Sequence, residues 1–227
     1  MNLLKRLASH LTPDAQWSIR RRRYARQLQN HTFTTPEPEY ACLSDWLHPG
    51  DWAIDIGANI GHYTNRLSTL VGPTGRVFAF EPVPETFSLL AANARHFPHP
   101  NVTLFNAAAS DAMTLASIAI PRFDTGLANY YEAELTTVAP SSDTTLPVLT
   151  LPLDALPFPH PVTLVKIDAE NHEFPVLRGM QTLLRRDHPL LIVETGRADV
   201  IDFLTSLSYT VLRLPSSPNI IFLPQKT

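Results

Sequence analysis

From residue 52 onward, short apolar segments alternate with longer segments that have helical periodicity. Five segments of five or six residues are apolar almost throughout and rich in β-branched or aromatic residues, which predicts strands. The segments between them carry apolar residues three or four positions apart, which predicts amphipathic helices. Strands that are apolar on both faces and separated by helices form parallel sheets covered on both sides. The predicted strands are 52–56, 76–80, 101–106, 162–167 and 189–194, and the predicted helices are 60–70, 84–96, 173–186 and 199–207.

The end of the chain departs from this alternation. The last two predicted strands, 209–213 and 219–223, are joined by only five residues. A parallel crossover needs a dozen or more residues, so these strands are predicted to pair antiparallel. The prediction is a three-layer, Rossmann-like α/β fold with a mostly parallel sheet closed by a C-terminal antiparallel hairpin. This is the layout of class I methyltransferases, whereas simple dinucleotide-binding domains usually keep the parallel order to the end.

Two regions lie outside the regular pattern. Residues 1–38 contain a predicted basic helix, 14–30, and a proline-containing linker, and they are predicted to be an appendage to a domain that spans 39–227. Residues from about 112 to 161 form a proline-rich insertion in that domain. Long insertions in α/β domains usually carry function, and we expect this one to cover the substrate side. Its predicted strand pair is 113–120 with 145–151.

Charge is unevenly distributed along the chain. Residues 1–30 carry seven basic side chains and one acidic side chain, a net charge of +6, and the remainder has a net charge of −9. The run Arg20–Arg23 predicts either weak contact with an anionic membrane surface or a solvated helix face that balances the acidic body. The net charge of the whole chain is only −3, and no nucleic-acid partner is expected.

Composition narrows the class of protein further. The hydrophobic fraction of 44% suits a globular domain with a core, and no apolar segment reaches the ~20 residues needed to span a bilayer. The amino-terminal segment lacks the features of a signal peptide, so a cytoplasmic protein is expected. Cys42 is the only cysteine, which excludes an intrachain disulfide and a thiolate metal cluster. A homo-oligomer is compatible with these features.

A glycine-containing turn, DIGANIG at 55–61, follows the first predicted strand. Ligands of doubly wound sheets bind at the carboxyl ends of strands, so this turn should border the site. Gly57 and Gly61 let the backbone approach a ligand, and the amide groups that begin the next helix favour a carboxylate or phosphate. The pyrophosphate fingerprint Gly-x-Gly-x-x-Gly fails because Asn59 replaces a glycine. The wider turn suits an amino-acid tail, with Asp55 holding the loop or accepting from an ammonium group.

Acidic residues also follow the second and third predicted strands. Glu81 ends the second strand, 20 residues after Gly61. A carboxylate at this place can accept hydrogen bonds from both ribose hydroxyls of a nucleoside. Asp111 follows the third strand and could accept from the exocyclic amine of adenine. Because Ser-Asp is also an ordinary turn dipeptide, the assignment of Asp111 depends on its neighbours.

The fourth predicted strand ends in an unusual concentration of ionisable residues. Burying such groups costs desolvation free energy unless they pair with one another or take part in chemistry. We predict catalytic or acceptor-binding roles, and the alternative is a salt-bridged cluster around Lys166 that only shapes the loop. Glu194 ends the fifth strand and should face the same crevice, since neighbouring parallel strands end together. The segment contains Lys166, Asp168, Glu170, His172 and Glu173.

Seven stretches of the sequence, in order between about residues 40 and 224, resemble the FkbM family of S-adenosylmethionine (SAM)-dependent methyltransferases. The most specific of them is VKIDAENHEFPVLRGM at 165–180. The resemblance implies a class I fold, SAM as methyl donor, and O-methylation of a hydroxyl on a small-molecule or glycan acceptor, either a carbohydrate or a secondary metabolite. The other matching stretches are DIGANIGHYT (55–64), RVFAFEPVPETF (76–87), NAAASD (106–111), LTLPLDAL (149–156), HPLLIVE (188–194) and NIIF (219–222).

The resemblance also implies roles for single residues. Asp168 is the first candidate for the base that takes the hydroxyl proton, and Glu170 and His172 are the second candidates. A divalent cation held by Asp168, Glu170 or Glu194 is an alternative that we do not favour. Where the family usually has glycine this chain has Asn171, and the larger side chain puts the identity of the acceptor in question. The implied cofactor-binding set is Asp55, Gly57, Asn59, Gly61, Glu81 and Asp111, and the acceptor-side polar set is Lys166, Asp168, Glu170, Glu173 and Glu194.

Two other functions are alternatives to O-methylation of a small-molecule or glycan acceptor. A nucleic-acid methyltransferase would use the basic amino-terminal segment. The fourth strand lacks the Asn/Asp-Pro-Pro-aromatic stretch with which base-N methyltransferases grip a flipped base, which argues against this function. A SAM-binding protein without catalysis would have an uncrowded or blocked pocket beyond Asp168.

Overall fold

A computed structural model describes residues 12–121, 133–136 and 145–225. Within these ranges no helix is both long and apolar enough to cross a membrane. The helices are α1 Pro13–Gln29, α2 Pro38–Trp46, α3 His62–Val71, α4 Pro84–Ala94, α5 Glu173–Arg178, α6 Gln181–Asp187 and α7 Ala198–Ser206, with a 3-10 turn at Leu153–Ala155. The strands are β1 Trp52–Ile56, β2 Arg76–Phe80, β3 Val102–Phe105, β4 Ala108–Ala109, β5 Thr114–Ala119, β6 Glu134–Thr136, β7 Thr145–Leu151, β8 Val162–Ile167, β9 Leu190–Glu194, β10 Tyr209–Arg213 and β11 Asn219–Pro224.

The central sheet has seven strands in the order β10-β11-β9-β8-β1-β2-β3. Strands β3, β2, β1, β8 and β9 are parallel, and β11 pairs antiparallel with both β9 and β10. The α/β fold with a C-terminal antiparallel hairpin is therefore confirmed. Ile56 lies opposite Phe80 of β2 and Ile167 of β8, so the carboxyl ends of three neighbouring strands meet at one edge. This edge is where the sequence places its polar residues.

Helices cover both faces of the central part of the sheet, where strands such as β1 and β8 are buried on both sides. One core cluster includes Ile54, Ile167 and Leu177, and a second includes Leu67 and Ile192. The predicted helix 173–186 is instead two short helices, α5 and α6. Gly179 lies at the break, where a Cβ would come within 1.8 Å of the carbonyl oxygen of Ser110, so only glycine fits at this position. A continuous helix with ordinary side chains could not pass so close to this backbone.

The amino-terminal region contacts the rest of the fold. Leu28 of α1 and Phe33 of the following linker are buried in a cluster with Ile60, Leu89 and Phe97. The prediction of a separate appendage at 1–38 stays a prediction, and the structure adds that its linker packs into the larger domain. The side chains of Arg21, Arg22 and Arg23 are exposed and that of Arg20 is partly exposed, so both interpretations of the arginine run also stay predictions.

The described parts of the insertion build a second sheet in the order β4-β7-β5-β6. The predicted strand pair is present, since β5 runs antiparallel to β7 from Thr114 opposite Thr150 to Ala119 opposite Thr145. Ile118 of β5 packs with Val83, which directly precedes α4. The small sheet therefore lies beside the carboxyl edge of the large one. Residues 122–132 and 137–144 of the predicted insertion lie outside the described residues.

Candidate active site

The turn after β1 brings its backbone against the tip of β8. The backbone of Gly57 has φ +73°, and a Cβ there would lie 1.8 Å from the carbonyl oxygen of Asp168. Only glycine combines this left-handed conformation with this close approach. Asn59 and Gly61 also have positive φ values, of 50° and 98°. The turn therefore crosses the strand tips closely, leaving space above them.

Glu81 ends β2 and is nearly buried, with 5% of its surface exposed. Its Oε2 accepts from the backbone N–H of Asn59 and its Oε1 accepts from the backbone N–H of Val83, both at 2.9 Å. Burial raises the pKa of Glu81 to about 7, although the two backbone hydrogen bonds act in the opposite direction. Each oxygen keeps a second lone pair, so the carboxylate can accept two further donors. Glu81 thus fixes the turn and remains available to a ligand.

Two of the predicted cofactor residues have protein partners of their own. Asp55 is buried and accepts from the hydroxyl of Thr64 at 2.5 Å, and burial raises the pKa of its carboxyl to about 6. Asp55 thus fastens the turn to α3. Asp111 forms an ion pair with Arg178. Neither carboxylate is among the residues that line the cavity at the strand tips, so the geometry does not support the predicted adenine contact of Asp111.

A cavity opens at the strand tips. Gly57, Asn59 and Glu81 line one part, and Ala107–Ala109 line another. Ile118 and Leu135 of the small sheet complete the wall. These features fit the three parts of SAM. The glycine turn, where a Cβ would be obstructed, fits the amino-acid tail, the adjacent carboxylate fits the ribose, and the apolar wall fits the base.

A second cavity adjoins the first. Asp168 and Glu170 line both cavities, and Glu173 and Glu194 line the second. Four members of the predicted acceptor-side set therefore lie together. The fifth, Lys166, lines neither cavity: it is buried at 2% exposure, and its ammonium lies 3.3 Å from Oδ2 of Asp168.

Burial and mutual repulsion raise the pKa values of three carboxyl groups that line the second cavity. Burial and then the neighbouring charges of Asp168 and Glu194 raise the pKa of Glu170 to about 7. Burial likewise raises the pKa of Glu173 and that of Glu194. A carboxyl that titrates near neutrality can both accept and release a proton at the pH of a cell.

His172 occupies a different part of the site from the acidic residues. It lines the first cavity and not the second, and its Nε2 lies 2.9 Å from Oγ of Ser110. Burial lowers the pKa of His172, so its imidazole is neutral over a wider pH range. This position is less suited to a base for an acceptor in the second cavity than the positions of Asp168 and Glu170.

The turn after β8 has two successive residues with positive φ. Asn171 has φ 70° and Glu170 has φ 46°, so both lie in the left-handed region, where asparagine is tolerated. The side-chain amide of Asn171 donates to Oε1 of Glu134 in β6 at 2.8 Å. The residue that replaces the usual glycine therefore links the acidic turn to the small sheet.

Sequence reasoning missed a buried acidic pair near this site. Glu37 was assigned to the linker, yet it accepts from the hydroxyl of Tyr63 at 2.6 Å, and Glu39 is fully buried beside it. The acids Glu37 and Glu39 on either side of Pro38, where α2 begins, were the sequence feature from which this pair could have been predicted. Among the described residues, no group of three or more His, Cys, Asp or Glu is arranged to hold a metal ion.

The fold and the site together define a class I, SAM-dependent methyltransferase domain. Residues 55–211 match the model of the methyltransferase FkbM domain, and the chain belongs to that family. The predicted family is thus confirmed, and with it SAM as the predicted cofactor.

Comparison with known proteins gives partial relatives. The hexuronic acid methyltransferase AglP of Haloferax volcanii is 30% identical over 158 residues, which cover 68% of this chain and 60% of that protein. A protein-L-isoaspartate O-methyltransferase of Triticum aestivum is 37% identical over 59 residues, 25% of this chain and 26% of that protein. The chain thus spans between about a quarter and three-fifths of the curated relatives it matches.

Solved structures agree on the fold. The crystal structure of the FkbM methyltransferase of Methylobacillus flagellatus superposes with a TM-score of 0.56 and 17% identity, covering 76% of this chain and 43% of that one. A SAM-dependent O-methyltransferase of Thermotoga maritima superposes with a TM-score of 0.51 and 14% identity, covering 90% of this chain and 72% of that one.

Proposed function

We propose that this protein transfers the methyl group of SAM to a hydroxyl oxygen of a carbohydrate or a secondary metabolite. The observation that carries the proposal is the shared wall of the two cavities, which Asp168 and Glu170 form. A donor in the first cavity and an acceptor in the second would meet at these carboxylates. The name of the Haloferax volcanii relative, a hexuronic acid methyltransferase, supports a carbohydrate acceptor.

The first cavity would hold the cofactor through groups already in place. Gly57 and Asn59 present the turn to the methionine tail, and Glu81 would accept from the ribose hydroxyls. When bound, SAM supplies a methyl group activated on a sulfonium. The apolar wall of Ala108 and Ile118 would pack against the adenine base.

The second cavity would hold the acceptor hydroxyl in line with the sulfonium. Asp168 would take the hydroxyl proton as the new carbon–oxygen bond forms and the methyl carbon–sulfur bond breaks, with the electron pair of that bond leaving on the sulfur as a neutral thioether. The ammonium of Lys166 would fix the orientation of Asp168. Glu170 is the alternative base, because its pKa of about 7 suits proton transfer near neutrality. Positioning of the hydroxyl can supply up to ~7–11 kcal/mol of the barrier reduction in favourable cases.

The test is Asp168→Asn, which keeps the size of the side chain and removes the base. We expect SAM affinity, measured by calorimetry, to change little, and methyl transfer from labelled SAM to fall by about 10²-fold or more. Candidate glycans and metabolites would be screened as acceptors by mass spectrometry. Asp202→Asn, at an exposed position in α7, is the matched control. Full activity of Asp168→Asn would remove Asp168 as the base.

A further inference from the structure

A buried acidic group lies where the two ends of the chain meet α3. Glu37 and Glu39 flank the first residue of α2, and Glu39 is fully buried. The hydroxyl of Tyr63 lies 2.6 Å from Oε2 of Glu37 and 3.2 Å from Oε1 of Glu39. The side-chain amide of Asn219 in β11 donates to both carboxylates. Glu37, Glu39, Tyr63 and Asn219 are called the glutamate cluster below.

Neutral donors occupy both oxygens of Glu37. Oε1 accepts from the hydroxyl of Thr35 at 2.9 Å, and Oε2 accepts from Tyr63 and from Asn219, the latter at 3.0 Å. Burial acts to raise the pKa of Glu37, but these hydrogen bonds and the charge of Lys166 hold it below its usual value. Glu37 is therefore a half-buried carboxylate that is satisfied by hydrogen bonds, without an ion pair among the described residues.

Lys166 lies between this anion and the acceptor site. Its ammonium is 3.3 Å from Asp168 and 5.1 Å from the centroid of the Tyr63 ring. Burial acts to lower the pKa of Lys166, but Asp168, Asp55 and Glu37 outweigh it and raise that pKa. A lysine side chain is long and flexible, so the position of this buried ammonium depends on the balance among the acidic residues around it, of which Glu37 is the one bonded to Tyr63.

We propose that Tyr63 is a positioning residue that directs the ammonium of Lys166 toward Asp168. The Tyr63 hydroxyl satisfies Glu37, and the ring face supports the ammonium, so Glu37 does not draw Lys166 away from the acceptor cavity. This inference rests on the proposed function, which gives Asp168 its role. Because Glu37 and Asn219 lie outside the matched segment 55–211, the two chain ends would complete a site of the matched domain.

The first perturbation is Tyr63→Phe, which keeps the ring and frees one lone pair of Glu37. Lys166 is then expected to move toward Glu37, and methyl transfer to fall about tenfold, the size expected for one lost hydrogen bond to a charged group. SAM affinity should stay within about twofold, since Tyr63 does not line the cofactor cavity. The matched control is Tyr40→Phe, whose ring packs against Tyr63 but whose hydroxyl donates to the backbone of His62. The control should retain full activity.

The second perturbation is the double variant Tyr63→Phe with Glu37→Gln. It removes the competing charge together with the hydroxyl, so the proposal expects most of the lost activity to return. Tyr63 and Glu37 are in contact, so the effects of the two changes need not add. If the cluster only stabilises the fold, the activities of both variants should follow their free energies of unfolding, measured by denaturant. Failure of this rescue would overturn the proposal.

Lys166 can also be observed without any acceptor. The sequence contains only three lysines, Lys5, Lys166 and Lys226, so the spectrum of isotope-labelled lysine side chains is simple. In the wild type, the Lys166 signal should shift on Asp168→Asn. In Tyr63→Phe, that response should shrink and the response to Glu37→Gln should become larger than in the wild type. If Tyr63→Phe does not fold, the double variant should still show coupling of Lys166 to Asp168.

The two readouts separate this proposal from the proposed function. An unchanged Lys166 signal in Tyr63→Phe, alongside active wild-type enzyme, rejects the positioning role alone. The expected Lys166 responses, in a protein that methylates none of the screened acceptors, would support the geometry and reject the function.

Discussion

Glu81 offers a quantitative test of the cofactor site through the change Glu81→Gln. Its two oxygens accept from the amides of Asn59 and Val83, and burial raises its pKa to about 7 from an ordinary value of 4.5. The folded protein therefore holds the proton of Glu81 more tightly than the unfolded chain does. Glutamine occupies nearly the same volume but does not titrate, so it isolates the contribution of this ionisation.

The sign follows from the direction of the shift. A raised carboxyl pKa stabilises the fold fully below the unfolded pKa of 4.5, and this stabilisation is lost as the pH rises through 7. Between about pH 5 and pH 8 the wild type should lose about 2 to 3 kcal/mol of unfolding free energy that the variant does not lose. A nearly constant offset of about 1 to 3 kcal/mol should accompany it, because the amide nitrogen of glutamine faces one of the two backbone donors.

Denaturant unfolding of both proteins at the two pH values measures this difference, and Glu85→Gln, exposed on α4, is the control that should follow the wild type. The same pair of proteins reports on the cofactor by calorimetry. Ribose hydroxyls donate to the ionised carboxylate, so SAM binding to the wild type should strengthen as the pH rises through 7. Glu81→Ala should weaken that binding strongly. Parallel stability curves for wild type and Glu81→Gln would refute the burial argument, and unchanged SAM affinity would refute the ribose assignment.

Two further predictions concern the strand tips. Gly57→Ala should destabilise the fold by about 3 kcal/mol or more, because its Cβ would lie 1.8 Å from the backbone of Asp168 at a positive φ, and thermal unfolding against Gly196→Ala, which has open space, tests this. If Glu170 assists as base, turnover should rise as the pH increases through about 7, where its carboxyl ionises, and Glu170→Gln should lose that limb of the pH profile. A profile identical to that of the wild type would exclude Glu170.

The strands and the glycine turn could be predicted because their causes are local. The run Trp52–Ile54 is apolar on both faces, and such a run, followed closely by Gly57, already indicates a buried parallel strand that ends at a ligand site. The close approach of Gly179 to Ser110, at the break between α5 and α6, could not be predicted, because the two residues are distant in sequence. The pairing of Asp111 with Arg178 is likewise a long-range contact.

The arrangement of the ionisable segment at the end of β8 also depends on contacts that are distant in sequence and could not be predicted from it. Its sequence indicated that Lys166 and the neighbouring acids would either act together or pair, and the structure divides them between these alternatives. Asp168 and Glu170 line the cavities, while Lys166 is turned inward. Alternation along a strand predicts that Lys166 and Ile167 point to opposite faces, but both faces of this sheet are covered. Only the packing of α3 shows that the ring of Tyr63 receives the lysine.

The boundary drawn at residue 38 illustrates why composition and packing need not coincide. Basic and proline-rich composition reports how a segment meets solvent, and by that measure the chain changes character where α2 begins. Packing depends instead on a few buried contacts. Phe33 in the cluster beside α4 and Glu37 bonded to Tyr63 both cross that boundary. A buried carboxylate with several donors is costly to expose alone, because each donor would lose its partner. The linker is therefore part of the structure that holds Lys166, even though its composition is that of a connecting segment.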